Sequence, residues 1–387
     1  MTGEVIRARA ALTAGVRSFF TGKNYLEVET PLLAPALIPE AAIEVFKTRF
    51  EHPYRAGRDL YLTPSPELWM KRLIAGGMGN IFQICKAFRN AEALGRLHNP
   101  EFTILEYYTV NADCRDSLEL TQELFAHLVK VCEEAPGVFA GAALRERLAR
   151  LAPPFRRMSM AQAFGQYAGL DLEEFCPREP AAAPEAARRL SARARGLGLP
   201  AGEGDAWEEA FNRVFAGVVE PALPRDKPLA LTCYPRGVRC LAKDVPGTPW
   251  NERWELYACG MEIANCFTEE ADAEKIAAYF REEAPLKEKA LVPHAIDGDF
   301  TSLYAHREKA PGRARDSSGN LFGASQKIAA YGPAAAEGLP RAADAPKSAD
   351  TSGVAVGLDR LFMAFLGEEA IGGVILFPFS DIIAPHS

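Results

Sequence analysis

The chain has 387 residues, 48% of them hydrophobic, and a formal net charge of −7. That length exceeds the size at which one core usually keeps growing, so it predicts one large catalytic domain with insertions or two tightly joined domains. The acidic total argues against a broad basic surface for nucleic acid and leaves room only for a local basic cleft. No apolar run of 18 residues and no charged, apolar leader is visible, so neither secretion nor membrane spanning is expected. The eight cysteines, at 85, 114, 132, 176, 233, 240, 259 and 266, form no CxxC pair and have no histidines at zinc spacing. They read as dispersed buried thiols of a cytoplasmic protein.

In chain order, Val5, Leu12, Val16 and Phe19 share one face of a helix that breaks at Gly22, and "YLEVETPLL" follows as a strand ended at Pro31. "FKTRF", "DLYLTP", "NIFQICKAFR" and "FTILEYYTV" read as further strands, with a helix from Pro66 to Ala75 started by Ser65. Helices are expected at Ser117–Glu134, Ser159–Ala168 and Ala206–Val218, and a surface helix within the Ala, Arg and Pro-rich stretch between them. Strands return in "LALTCYP" and "ERWELYACGMEIANCF", and a helix follows from Glu270 to Glu283. Residues 301–350, rich in Gly, Ala, Pro, Ser and charge, read as a surface insertion with a helix around 324–331. "SGVAVGLDRLFMAFLG" then runs from a strand into a helix before an apolar end. The pattern is α+β, an antiparallel sheet with helices laid on it, without the βαβ rhythm of a dinucleotide fold.

Three clusters could carry chemistry. Arg89 follows one strand and is succeeded by Asn90, Glu92, Arg96, His98, Asn99 and Glu101 before Phe102 starts the next. Guanidinium groups in such a loop suit phosphate; the alternative is a solvated hairpin. In "NERWELYACGMEIANCFTEE", Glu255 and Glu262 would face opposite sides of one continuous strand, but a turn or bulge at Gly260 brings them together. Paired carboxylates suit Mg²⁺ held through phosphates, and Asn265 and Glu269 add an amide and a third carboxylate; acidic surface is the alternative. Asp359 and Arg360 open an apolar helix after glycines, which fits either a phosphate contact or a capped helix with an outward arginine. Arginines for triphosphate and carboxylates for metal together point to an enzyme that uses ATP.

These residues resemble the three motifs of class II aminoacyl-tRNA synthetases of the lysyl type: "YLEVETPLL", "FRNAEALGRLHNPEFTILEYY" and "GVAVGLDRL". "TPSPELWMKRL" and "ERWELYACGMEIANCF" extend the resemblance over nearly the whole chain except residues 301–350. It implies a single class II synthetase-like catalytic domain over 1–387, with the insertion inside it. The first motif starts near residue 25, leaving no room for an anticodon-binding domain before it. That is similar to the truncated branch of the family, the elongation factor P–(R)-β-lysine ligases, and implies ATP and Mg²⁺ as cofactors, lysine or (R)-β-lysine as donor and elongation factor P as partner.

By the same resemblance, Arg89 contacts the α-phosphate, Arg360 the γ-phosphate, and Glu255 and Glu262 hold Mg²⁺ and ATP. His98 and Asn99 face the nucleotide and Phe102 stacks on adenine. Glu67, with Ser65 in the pocket wall, is near the substrate amino group, Asn265 near its carboxylate, and Glu106, Tyr108 and Glu269 around the distal ammonium. Ala355 stands where lysyl-tRNA synthetases usually have glycine and the truncated ligases alanine. Two features depart from the pattern: Ala91 interrupts motif 2, where Glu92 takes over the usual glutamate through a bulge, and "CYPRGVRCLA" lacks the usual "SQA" element. A homodimer built on motif 1 is expected, with no membrane association and no stable tRNA complex. The competing readings are a synthetase-like enzyme acylating tRNA or another acceptor, and an inactive paralogue that binds a partner.

Overall fold

The computed structural model describes residues 3–135, 138–139, 142–177, 179–305 and 350–383, and these divide into two compact units. The insertion expected at 301–350, with its helix around 324–331, lies outside the described residues except at its two ends. The helix Gly3–Gly22 buries Leu12, Val16 and Phe19 as its 3.6-residue period predicts, with Phe20 beside them.

The first unit comprises residues 17–111 and the described parts of 271–351 and 377–383. Its strands are β1 (Leu26–Glu27), β2 (Leu33–Ala34), β3 (Lys47–His52), β4 (Arg55–Leu62), β5 (Ile81–Phe88) and β6 (Glu101–Val110). β5 and β6 form an antiparallel hairpin with β1 added in parallel at Leu26↔Ile81, while β2, β4 and β3 make a separate three-stranded sheet. The single strand expected for "YLEVETPLL" is corrected to two short pieces in different sheets. Val28 still donates to Phe82 O at 2.9 Å, but Pro31 has no N–H for a ladder, and beyond it Leu33 pairs with Leu62. Phe20 packs between Phe82 and Tyr107, ring centroids 5.0 and 4.8 Å away, and all three side chains are fully buried. Truncating a ring in such a site costs about 3–5 kcal/mol.

The helix Glu67–Ala75 starts one residue later than expected; Pro66 occupies the cap position, and Ser65 Oγ accepts Glu67 N–H at 3.3 Å. The helix expected at Glu270–Glu283 is Ala273–Lys287 instead. Asp272 caps it by accepting the amides of Glu274 and Lys275, and the helix runs on through Pro285.

The second unit comprises residues 3–16, 112–270 and 352–376. Here β7 (Arg156–Ser159) lies parallel to β8 (Leu229–Pro235), and β8, β9 (Trp250–Ala258), β10 (Met261–Thr268) and β11 (Thr351–Gly357) follow antiparallel. Cys259 and Gly260, with φ of 54° and 75°, make the two-residue turn between β9 and β10. The long helix starts at Cys114, three residues before the expected Ser117. Asp113 accepts the amides of Arg115 and Asp116, and Asp116 returns to Asp113 N–H, a capping box with aspartate in place of glutamate. The next two expected helices each relax into a π-helical turn, at Phe164–Ala168 and Phe215–Val219. Ala183–Gly196 is the surface helix, burying Ala186, Leu190 and Ala194. All eight cysteines are free, but only Cys114, Cys132, Cys176 and Cys266 are buried; Cys259 is exposed because it forms the hairpin turn.

Candidate active site

Strand register decides which side chains of the second unit share a face. Arg253, Glu255 and Tyr257 alternate along β9 and so point the same way. Glu262 lies opposite Tyr257, and Asn265 opposite Glu255. Glu262 and Asn265 are three apart and would normally face opposite sides, but a register shift between Glu262 and Ala264 inserts a residue and puts both on the face of Glu255. Ala355 on β11 pairs with Asn265 and joins that face. Glu269 follows β10 in the same alternation and is buried.

Glu255 is the hub. Tyr234 and Tyr257 hydroxyls donate to its Oε2 at 2.5 and 2.9 Å, and Arg253 donates to its Oε1 at 2.8 Å. Arg253 also lies over the Tyr234 ring, 4.6 Å from the centroid. Burial, reinforced by the Glu255 charge, raises both phenols far above their ordinary range, so they remain donors at any accessible pH. Arg360 donates to Glu262 O at 3.0 Å and lies 3.7 Å from its carboxylate. Glu220 adds a carboxyl held above its ordinary value by burial and then by the Glu255 charge, with Arg360 opposing. Asp359, beside Arg360, pairs with Arg9 at 2.7 Å and is structural. Asn265 Oδ1 is buried with no hydrogen-bond partner among the described residues, an acceptor that suits a ligand donor.

In the first unit, the β5–β6 register puts Gln83, Cys85 and Ala87 on one face with Glu106, Ile104 and Phe102, and Tyr108 continues the row. Tyr108 donates to Glu106 Oε1 at 2.8 Å, and both are buried. Arg89 closes the hairpin through its backbone N–H on Pro100 O, and its guanidinium lies 5.3 Å from the Phe102 ring centroid. Its Nε is buried without a hydrogen-bond partner among the described residues, which fits an anion such as phosphate. Ala91 adopts a left-handed φ of 55°, the local cost of the extra residue in this loop. Glu92 comes within 3.9 Å of His98. Asn99 uses both ends of its amide on backbone, donating to Glu101 O at 2.5 Å and accepting Phe379 N–H at 2.8 Å. Ser65 and Glu67 line a small depression with Glu40, and Glu67 is paired with buried Lys71 at 2.6 Å.

The sequence-predicted residues therefore fall in two sets: Ser65, Glu67, Arg89, Glu92, His98, Asn99, Phe102, Glu106 and Tyr108 in the first unit, and Glu255, Glu262, Asn265, Glu269, Ala355 and Arg360 in the second. Sequence reasoning missed Glu40, Glu220 and the three donors on Glu255. Of these, Arg253 and Tyr257 had a signal, the period-2 spacing around Glu255 in "RWELY". Among the described residues, no three acidic, histidine or cysteine side chains gather to hold a metal by themselves, so a cation here would need ligand oxygens as well.

Comparison with known proteins agrees with the strand pattern and the motifs. The chain is 32% identical to the elongation factor P–(R)-β-lysine ligase of Histophilus somni over 96% of its own length and 93% of that protein's. The counterpart from Yersinia enterocolitica matches with the same identity and coverage. A lysine–tRNA ligase from Dehalococcoides mccartyi is 31% identical over 96% of this chain and 63% of its own. No described helix is long and apolar enough to cross a membrane. With residues 1–304 matching the family as well, the chain belongs to the class II tRNA synthetases (D, K and N), and its fold is the α+β class II type, antiparallel sheet flanked by helices.

Proposed function

We propose that the protein activates lysine or (R)-β-lysine with ATP and transfers the acyl group to a lysine side chain of elongation factor P. The observation that carries this reading is the match to elongation factor P–(R)-β-lysine ligases, 32% identical over 96% of this chain. The donor class is supported by Glu106, a buried carboxylate tied to Tyr108, which suits a distal ammonium.

Each residue set has a share in the chemistry. The substrate carboxylate attacks the α-phosphorus and pyrophosphate leaves. Arg89 is held against Phe102 with an Nε that has no partner among the described residues, so it meets charge developing at the α-phosphate without reorganising. Arg360 takes the far end of the triphosphate, and Asn265 and Ala355 border the amino-acid side of their face. Glu255 and Glu262 would hold Mg²⁺ through the nucleotide phosphates, and the bound ion offsets phosphate charge. No strong protein base is needed until the acceptor amine, which must be neutral, attacks the acyl carbon and displaces AMP. The reading includes a cytoplasmic homodimer, because the segment around Pro31 resembles the family's interface motif; light scattering that finds only monomer at micromolar concentration would count against it.

Acylation of tRNA is the second reading, favoured by the lysine–tRNA ligase match. Adenylate formation is tested by ATP–pyrophosphate exchange with lysine and both β-lysine enantiomers. Exchange dependent on Mg²⁺ and on one of these amino acids is expected, and no exchange with any of them would reject the proposal.

A further inference from the structure

Residues 37–44 are pinned at both ends. Leu37 exchanges backbone hydrogen bonds with Ala295 and Asp297, and Glu44 O accepts Asn90 N–H at 2.9 Å. Between these anchors Ala41 N–H donates to Glu283 at 2.8 Å. The backbone at Glu40 is thereby fixed, and the residue lines the depression shared with Ser65 and Glu67, whose remaining wall is Leu37, Ile38, Pro64 and Leu68. The Glu40 backbone carbonyl accepts Ile43 N–H at 3.2 Å, but its carboxylate has no hydrogen bond or ion pair among the described residues.

The charge count around that depression separates the two carboxylates. Glu67 is neutralised by Lys71 at 2.6 Å, a lysine buried to 3% exposure. Lys287, which also feels Glu40, is matched by Glu44 at 3.6 Å, and Glu283 accepts the Ala41 amide. Of the described cations acting on Glu40, Arg89 has a larger effect than Lys71, and in the reading proposed above a phosphate claims it. That leaves Glu40, among the described carboxylates of this depression, as the one with no paired cation of its own once nucleotide is bound. Burial, then Glu67, with Arg89 and Lys71 opposing and Glu283 adding, pushes its carboxyl up to about 7.

We infer that Glu40 is a specificity-determining residue of the amino-acid site, supplying the negative charge that binds the substrate's ammonium group at the depression beside Glu67. The inference rests on the proposed activation of an amino acid. In the empty site Glu40 holds a proton near neutral pH, and an arriving ammonium displaces it to solvent; no covalent bond changes. Amino-acid binding therefore weakens as pH falls through about 7.

The test is ATP–pyrophosphate exchange from pH 6 to 8.5 with wild type, Glu40→Gln and Glu40→Asp. Glu40→Gln is expected to raise KM for the amino acid ~10-fold or more at pH 8, keep KM for ATP within about twofold, and lose the acid-side rise in KM, with Glu40→Asp recovering part of the affinity. An unchanged ATP KM shows that the variant is folded. A Glu40→Gln enzyme with wild-type amino-acid KM and wild-type pH profile overturns the inference while leaving the proposed function standing. Wild type that activates no lysine-type amino acid overturns both.

Discussion

Tyr234→Phe removes one hydroxyl from the Glu255 cluster and little else. The ring stays, so Arg253 keeps an aromatic face at the 4.6 Å spacing seen with tyrosine, and phenylalanine leaves no orphaned donor. What is lost is the 2.5 Å hydrogen bond to a buried carboxylate, in a range where bonds to charged groups are worth about 1.5–3 kcal/mol. Tyr257 still donates to the same oxygen, which places the expected cost at the low end, about 1.5 kcal/mol. Tyr257→Phe should cost a similar amount. The double variant strips Oε2 of both donors, so its loss should exceed the sum of the singles by about 0.5 kcal/mol or more. Urea unfolding reads these losses as a lower midpoint at unchanged slope. Singles that cost under about 0.5 kcal/mol with strict additivity in the double would show that the two phenols do not hold Glu255.

Arg89→Ala should lower turnover in pyrophosphate exchange by about 3 kcal/mol, roughly a hundredfold, with a smaller change in amino-acid KM; loss confined to KM would remove its transition-state role. Ala91→Gly relieves the left-handed φ of 55° and should leave stability unchanged or raise it by up to about 1 kcal/mol, whereas a loss beyond that would show the loop conformation to be wrong. Glu40 is held above its ordinary value, so its contribution to stability is full below pH 4.5 and is lost as pH rises through about 7. Glu40→Gln should therefore match wild type in thermal unfolding at pH 4.5 and exceed it by about 1–3 kcal/mol at pH 8; a difference independent of pH would contradict the raised value.

What could be read from the sequence was whatever local period or chain punctuation determines. The apolar stripe at Leu12, Val16 and Phe19 reappears in the burial pattern, whereas "FTILEYYTV", which reads as alternating, is buried without a break from Ile104 to Tyr108, on both faces of the strand. Gly260 marked the turn that turns Glu262 back toward Glu255. The register shift after Glu262 had no such mark, since it depends on how β9 and β10 pair rather than on any one residue. Motif 1 reads as a strand ended at Pro31, whereas backbone pairing keeps Leu26–Glu27 beside β5 and sends Leu33–Ala34, beyond the proline, to β4 in another sheet. Asp113 was passed over as a cap because its box partner is aspartate. Glu40 was invisible because its environment is set by Glu67, Arg89 and Glu283, far apart in the chain.

Acceptor choice is tested most directly by offering the enzyme, ATP and (R)-β-lysine to elongation factor P and to total tRNA in parallel, read by intact mass and acid-precipitable label. Mass added to a lysine of elongation factor P, with no charged tRNA, is the expected result; charged tRNA with unmodified factor would contradict it.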